Sequence, residues 1–544
     1  MTKCCAPESV STRGESEYPP APHVWIGLSN SRKRQCMVRF LARRLAMGLI
    51  ILLVLSVLMY VMLDLAMDPL DDLRTSTAPN KEAAIAARIQ ALHLDQPWWQ
   101  RYLGWLSKFV TGDLGMAWRT QESVNRLLGG AIMTTVQLVL AATLLAIVLG
   151  VLVGIVSALR QYTAFDYSIT FVSFVLYSLP VFWVAVLLKQ FLAIGVNDFL
   201  NYPTVNWFWV TVFAVVAGLF WAGALGGGVR RGAIIFAAAA LITFGTSAFI
   251  LASGWLNAPS LGVVGVGVFG VAAAIAVTAV FAGMANRLAL YSALTTAVAG
   301  IVSYIAVQWL FYYVPMNWAW MFGLLIVSIG IGLLIGWLFG GPDRAVSMRG
   351  AALTAVLMAG LTFVDRVMQS YPQYFNSPDI KGRPIATIGA ETPGFQGDFW
   401  LMQMDRFTHL VLPTIALVLI SFASYTRYQR GSMLEVLGQD YIRTARAKGL
   451  SERVVVVRHA LRNALLPLAS VVPVDVITLI GGAVITETIF GWSGMGRLFV
   501  VSLRQSEVDP VMAYVMITGA LAIIANLVAD YLYALLDPRI QVTG

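Results

Sequence analysis

The chain has 544 residues, 58% of them hydrophobic and only 12% charged, with a net charge of +9 and a mean hydropathy of +0.75. The charged share is about half that of an ordinary globular protein, and the apolar residues gather into runs of about twenty, the length that crosses a hydrocarbon core as a helix. A string of soluble domains is therefore excluded, and continuous runs in place of alternating ten-residue ones exclude a transmembrane barrel.

The expected fold is an all-α polytopic membrane protein. Its positive charge lies beside the apolar runs, as on loops at the inner face of a membrane, which argues against nucleic acid as a partner. Residues 1–37, rich in Ser, Pro and Glu at their start, are expected to be a disordered cytoplasmic tail. Its cysteines, Cys4, Cys5 and Cys36, show no zinc-type spacing with histidine. The stretch "SRKRQCMVRFLARR" carries Arg32, Lys33, Arg34, Arg39, Arg43 and Arg44, which places the N-terminus inside. The run Leu45–Leu63 is too long for a signal-peptide core and is expected to remain as the first span. Residues 64–130 read as an outer segment. It holds the amphipathic "KEAAIAARIQALHL" and the aromatic "QPWWQRYLGWL", which suits a membrane interface. A second span over about 131–158 returns inward, and a third over about 168–196 goes out with Pro180 inside it.

Six further runs lie near 206–224, 233–253, 262–284, 288–311, 319–340 and 351–369. Arg230 with Arg231, then Arg287, then Arg344 with Arg349 fall in alternate connections, and each lands inside if all six runs span. Residues 370–406 read as a polar, Gly/Pro-punctuated outer loop. Spans near 408–427, 465–487 and 511–536 complete an expected twelve, with both termini cytoplasmic.

Ionisable residues in or near spans are candidates for a translocation path. Asp475, in "VVPVDVITLI", reads either as a pore-lining or inter-subunit group or as a carboxyl satisfied by a neighbouring helix. Glu487, at the outer end of the same span, has the same two readings. Pro467 and Pro473 are expected to bend that span during gating. Lys189 is expected to snorkel toward the interface. "GWSG" (Gly491–Gly494) is a short match to an intramembrane serine-protease motif, which needs a histidine near Ser493; His93 lies in the outer segment, and only His409 sits near a helix end on that side. No HExxH and no Walker-type phosphate loop occurs, so no catalytic residue, metal or cofactor is expected here, and any ATP hydrolysis belongs to another polypeptide.

The most informative stretch is "DYIRTARAKGLSERVVVVRHALRNALLP", Asp440–Pro467, a basic helix-friendly segment between two apolar spans. From Leu434, the positions Leu437, Tyr441, Ala445 and Gly449 recur at three- to four-residue spacing and make one expected helix face. Gly449 is placed to end that helix, since glycine accepts the left-handed conformation. Pattern alone leaves two readings open: a helix that docks on a soluble partner, or a basic loop held near anionic headgroups.

"GQDYIRTARAKGLSERVVVVRHALRNALLP" resembles the coupling segment of permease subunits in ABC importers of the dipeptide, oligopeptide and nickel branch. Four more strings agree in the same order: "LDQPWWQRYLGWLSKFVTGDLG", "HLVLPTIAL", "GGAVITETIFGWSGMGRL" and "VADYLYALLDPRI". The likeness covers about 38–200 and 407–541. It implies a six-helix type I importer permease core, split into 38–200 (three spans with the outer loop 64–130) and 407–544 (with the coupling segment 430–463). Residues 201–369 would then be an inserted membrane region of about six helices, followed by the outer loop 370–406. The resemblance also implies that Asp440, Tyr441, Arg443, Thr444, Ala445, Arg446, Ala447, Lys448 and Gly449 make or shape contact with a cytoplasmic ATPase. Arg443-Thr444-Ala445 stands where the wider superfamily has Glu-Ala-Ala, as in the peptide branch, and "AMDP" (Ala66–Pro69) stands for the family's Gly-Asp-Pro.

The implied partners are a second permease, two ATPase subunits that hold ATP and magnesium, and an extracytoplasmic binding protein, all at a bacterial inner membrane. The implied activity is ATP-driven import of di- or oligopeptides. Nickel or another small solute is an alternative cargo. An ion-coupled secondary transporter is the rival of a different class, and it would call for internal repeats and paired intramembrane charges.

Overall fold

The computed structural model of the protein describes residues 30–77, 80–203, 205–341 and 344–536. Among them twelve helices are long and apolar enough to cross a membrane, the number expected. The chain is an all-α polytopic membrane protein, since in lipid a helix satisfies its own backbone within one segment.

Helix α1 (Asn30–Ala66) begins inside the expected tail, so 30–37 form its first turns, and the rest of that tail lies outside the described residues. The next segment holds α2 (Asp71–Arg74), α3 (Lys81–Ala91), α4 (Trp98–Val110) and an antiparallel hairpin of β1 (Met116–Ala117) and β2 (Glu122–Ser123). The aromatic helix α4 buries Tyr102 and Trp105, whereas α3 buries nothing. Helix α5 (Val124–Leu159) is the second span.

The third span departs from expectation. Helix α6 (Ala164–Ser178) stops at Leu179 and Pro180, both extended, and the path resumes with α7 (Val181–Leu187), a π-helical run Leu188–Ile194 and α8 (Gly195–Asn201). Pro180 breaks this helix instead of riding within it. Proline removes a backbone donor and pushes the residue before it into the extended region.

The chain between 207 and 369 forms α9 (Trp207–Leu225), α10 (Val229–Ala252), α11 (Gly262–Phe281), α12 (Arg287–Tyr313), α13 (Trp318–Phe339) and α14 (Arg344–Gln369). Asn206, Asn286 and Asn317 start α9, α12 and α13 by accepting a first-turn N–H on the side chain. Helices α11 to α14 pack on one another and bury Ala274, Ala293, Ala297, Ala351 and Ala355. Small residues let membrane helices close tightly without a hydrophobic drive. By contrast, α10 pairs with α9 and buries no residue of its own.

Beyond α15 (Tyr371–Phe375), helix α16 (Phe399–Leu437) starts well before the expected position 408, because Asp398 caps it by accepting from Leu401 N at 2.9 Å. The end of the expected outer loop 370–406 is therefore helical. Next come α17 (Asp440–Ala447), α18 (Glu452–Val454), a π-helical turn over 455–460, α19 (Leu461–Ala464), α20 (Leu466–Gly482), α21 (Val484–Phe490), α22 (Met495–Arg504) and α23 (Val508–Leu536).

The chain divides into two compact units, 1–145 with 461–488 and 492–544, and 146–460 with 489–491. In the first, Val124, Leu128 and Val139 pack with Ala483, Met495 and Ala513, while Leu52, Tyr60 and Leu63 pack with Tyr102, Trp105 and Val511. In the second, Phe311, Tyr374, Phe395, Trp400 and Met404 form one cluster, so α12, α15, the 376–398 stretch and the start of α16 share a core.

Candidate functional site

Helix α16 ends at Leu437, and Gly438 and Gln439 separate it from the eight-residue α17. The expected continuous face from Leu434 to Gly449 is therefore broken. Ile442 and Ala445 point inward and are buried, at 0% and 6% exposure, whereas Tyr441 is 42% exposed. Tyr441 and Ala445, expected on one face, therefore differ in burial, and Ile442 shares the buried side with Ala445, because the break restarts the helical phase at Asp440. Helix α17 rests on the 455–460 turn, where Val455 and Ala460 are fully buried. Asp440, Tyr441, Arg443, Thr444, Arg446, Ala447, Lys448 and Gly449 are exposed, and Ala445 supports them from beneath.

The helix ends as its sequence predicts. Gly449 has φ +74°, its N–H donates to Arg446 O, and Leu450 N–H reaches back to Ala445 O. This is the glycine-terminated pattern that satisfies the last carbonyls of a helix. Arg446 is not a loose cation: its Nη2 donates to Glu452 Oε1 at 2.6 Å and its Nε to Oε2 at 3.1 Å. The result is a short, stiff, polar ridge on an apolar support.

At the root of that ridge sits a pair that sequence reading missed. Arg430 on α16 donates Nε to Asp166 Oδ1 at 2.7 Å and Nη2 to Oδ2 at 2.8 Å. Asp166 also accepts from Ser157 Oγ and Tyr162 N, and its side chain is 1% exposed. The Arg430 guanidinium, with Ser157 and Tyr162 helping, holds the Asp166 carboxyl below the ordinary 3.8 against the opposing effect of burial.

Of the four pathway candidates, Glu487 is resolved most sharply. It is fully buried on α21, where Thr135 Oγ1 donates to Oε1 at 2.6 Å and Arg497 N to Oε2 at 3.0 Å. Arg497 lies in the first turn of α22, so Glu487 stops that helix's N-terminus, and Met495 N donates in turn to Thr135 Oγ1 at 2.9 Å. Of its two readings, the geometry matches the satisfied carboxyl. Burial raises its pKa above the ordinary 4.5, opposed by Thr135 and the N–H groups of Arg497 and Gly496. The folded chain thus holds this proton more tightly than the unfolded chain does. Its contribution to stability is full below about 4.5 and is lost as pH rises through the folded value. Glu487→Gln removes that arm, so the difference in melting temperature, variant minus wild type, should grow from about pH 4 to about pH 8. A difference that stays constant across the range refutes this assignment.

Asp475 is half-buried in the interior of α20. Pro473 is inside that helix, and Pro467 occupies its first turn, where no backbone donor is needed. Lys189 does not snorkel. Its Nζ donates to Ile489 O at 2.5 Å and lies 5.3 Å over the Phe490 ring. A cavity of about 520 Å³ beside it is lined by Asn197, Asp198, Arg383, Thr392 and His409 among others. His409 turns Nδ1 to Asp405 O at 2.8 Å. Asp405, fully buried, accepts from Thr392 N, Thr392 Oγ1 and Tyr374 OH at 2.9, 2.6 and 3.0 Å, which ties the 376–398 stretch down onto α16.

Two family models match this chain. The one for binding-protein-dependent transport system inner membrane components covers 305–542, and the one for the N-terminal part of such membrane components covers 37–144. Among curated relatives, the oligopeptide transport system permease protein OppB of Mycobacterium tuberculosis is 45% identical over 155 residues, 28% of this chain and 48% of that protein. The oligopeptide transport system permease protein AppB of Bacillus subtilis is 49% identical over 137 residues, 25% of this chain and 43% of that protein. The dipeptide transport system permease protein DppB of Escherichia coli K12 is 45% identical over 148 residues, 27% and 42%. The chain thus spans somewhat under half the length of the curated relatives it matches.

Proposed function

Since the chain belongs to the binding-protein-dependent transport system inner membrane components, we propose that it is the permease subunit of an ATP-driven importer of di- or oligopeptides. It is a multi-pass inner membrane protein and a transporter component, not an enzyme in its own right. The observation that carries the reading is α17, a polar ridge with a glycine-set end, suited to fit a cleft on a separate ATPase. Peptide as cargo is supported by the printed names of the relatives. The partners are a second permease, two ATPase subunits carrying ATP and magnesium, and an outer binding protein.

Sidedness follows from charge. Of the six arginines between 201 and 369, Arg230, Arg231, Arg287, Arg344 and Arg349 lie at or near the starts of α10, α12 and α14, and Arg366 alone lies in the last turn of α14. Cations are disfavoured at a helix N-terminus by some tenths of a kcal/mol, about 0.3–1, so helix stability does not account for them. The positive-inside tendency does, and it puts these ends, α17 and both termini in the cytoplasm.

The test is co-purification. The tagged chain, extracted in mild detergent, should bring down an ATPase pair and a second permease, identified by mass spectrometry. A chain that is folded, comes out alone and still moves solute without ATP would overturn the proposal.

A further inference from the structure

The end of α16 that leads to α17 is fastened to α5, to α6 and to the turn between them by three contacts of different chemistry, all within residues 425–430. The Arg430 fork grips Asp166 through both carboxylate oxygens, a geometry that fixes orientation as well as distance. One turn earlier, the Arg427 guanidinium lies 4.0 Å from the Tyr177 ring centroid and 5.5 Å from that of Phe174, both on α6. On the α5 side, a Cβ at Gly154 would come within 2.9 Å of Gln429 Cβ and of Thr426 O, so these helices meet nearly backbone to backbone. The turn itself is shaped for the pair: Tyr162 has φ +64°, and Asp166 accepts its N–H at 3.1 Å.

We propose that Asp166 and Arg430 are positioning residues for transport: they lock the root of the coupling helix to the α5–α6 turn, so that a push on α17 moves these elements as one body. A buried ion pair is weak evidence for stability, since well-packed apolar residues of similar volume often serve as well or better. What the pair supplies instead is one fixed geometry in the element that carries α17. Without it the push bends the α16 stalk and is not passed to the spans. The inference rests on the coupling reading proposed above and names the residues that carry the force.

The experiment uses the assembled complex reconstituted in vesicles, measuring ATP hydrolysed and peptide moved in the same sample. Asp166→Asn keeps shape and loses charge, and Arg430→Lys keeps charge and loses the fork. Both should retain the ATPase partners and ATP turnover while peptide moved per ATP falls about tenfold, the scale of a typical coupling energy. Ser157→Ala, which leaves the ion pair intact, should lower the ratio less. A merely structural role would reduce the amount of complex recovered and leave the ratio unchanged. Complexes recovered in full with a wild-type ratio overturn the inference, and Arg430→Lys decides alone if Asp166→Asn does not accumulate. A wild-type chain that binds no ATPase sinks the coupling reading itself, a distinct result.

Discussion

Gly449→Val is expected to abolish recovery of the ATPase partners with this chain while leaving its own melting temperature close to wild type. The residue is exposed, and a Cβ built there meets nothing within 4 Å, so no clash disturbs the core. What changes is the backbone. Gly449 has φ +74°, which costs an L-residue about 1–2 kcal/mol and a β-branched one more. The end of α17 relieves that strain by giving up the bonds from Gly449 N to Arg446 O and from Leu450 N to Ala445 O. Arg446 and Lys448 then lose their fixed places on the ridge. Substitutions should rank by their tolerance of the left-handed conformation: Asn keeps most of the binding, Ala keeps less and Val least. Pull-down of the ATPase with each variant checks the order. If Asn and Val behave alike, the helix end is not what the partner reads. Ala445 is a less clean probe than Gly449, because it is buried at 6% exposure and a larger side chain there would lift the whole ridge.

The elements that sequence reading placed well are those governed by lipid. Twelve spans were legible because a run of some twenty apolar residues has no other use in such a chain, and Gly449 was legible because a local backbone rule governs it. Misreadings came where a local breaker competed with a run. Pro180 splits the expected third span, and Gly438 with Gln439 resets the helical phase so that Tyr441 and Ala445 no longer share one face and Ile442 turns inward beside Ala445. What was not legible at all is pairing over distance. Asp166 and Arg430 are 264 residues apart, and Thr135 and Glu487 are 352 apart. Neither spacing carries a periodicity, so only the folded chain reveals that each carboxyl has a dedicated set of donors. A buried acid in a membrane protein invites a pathway role. Glu487 has a dedicated set of backbone and hydroxyl partners that it holds in place, which is the arrangement of a satisfied carboxyl.

Asp405→Leu should give the converse of Gly449→Val: ATPase partners retained, peptide import lost. Asp405 is fully buried and takes the Thr392 N–H, the Thr392 hydroxyl and the Tyr374 hydroxyl. Leucine accepts nothing. The Tyr374 hydroxyl keeps its bond to Thr408 Oγ1, but the two Thr392 donors are left unpaired at about 1–3 kcal/mol each, so the local loss is about 2 kcal/mol or more. That loss falls on one segment. Ile385 stays held by Asn197, through Asn197 Nδ2 to Ile385 O at 2.9 Å and Ile385 N to Asn197 Oδ1 at 3.0 Å, so the stretch near 392 frees itself first. Phe395 and Trp400 belong to the same apolar cluster as Phe311 and Tyr374, and so the released stretch also loosens the join between α12 and α16. On the sidedness and partners proposed above, this stretch faces outward, toward the proposed binding protein, whereas α17 lies at the far end of α16. Import driven by the binding protein should therefore fail while α17 still recruits the ATPase. Asp405→Asn, which can still accept from Thr392 N, should restore part of the import. The measurement is peptide uptake with and without added binding protein, beside a pull-down of the ATPase. Equal uptake by wild type and Asp405→Leu would show that the anchored stretch plays no part in delivery.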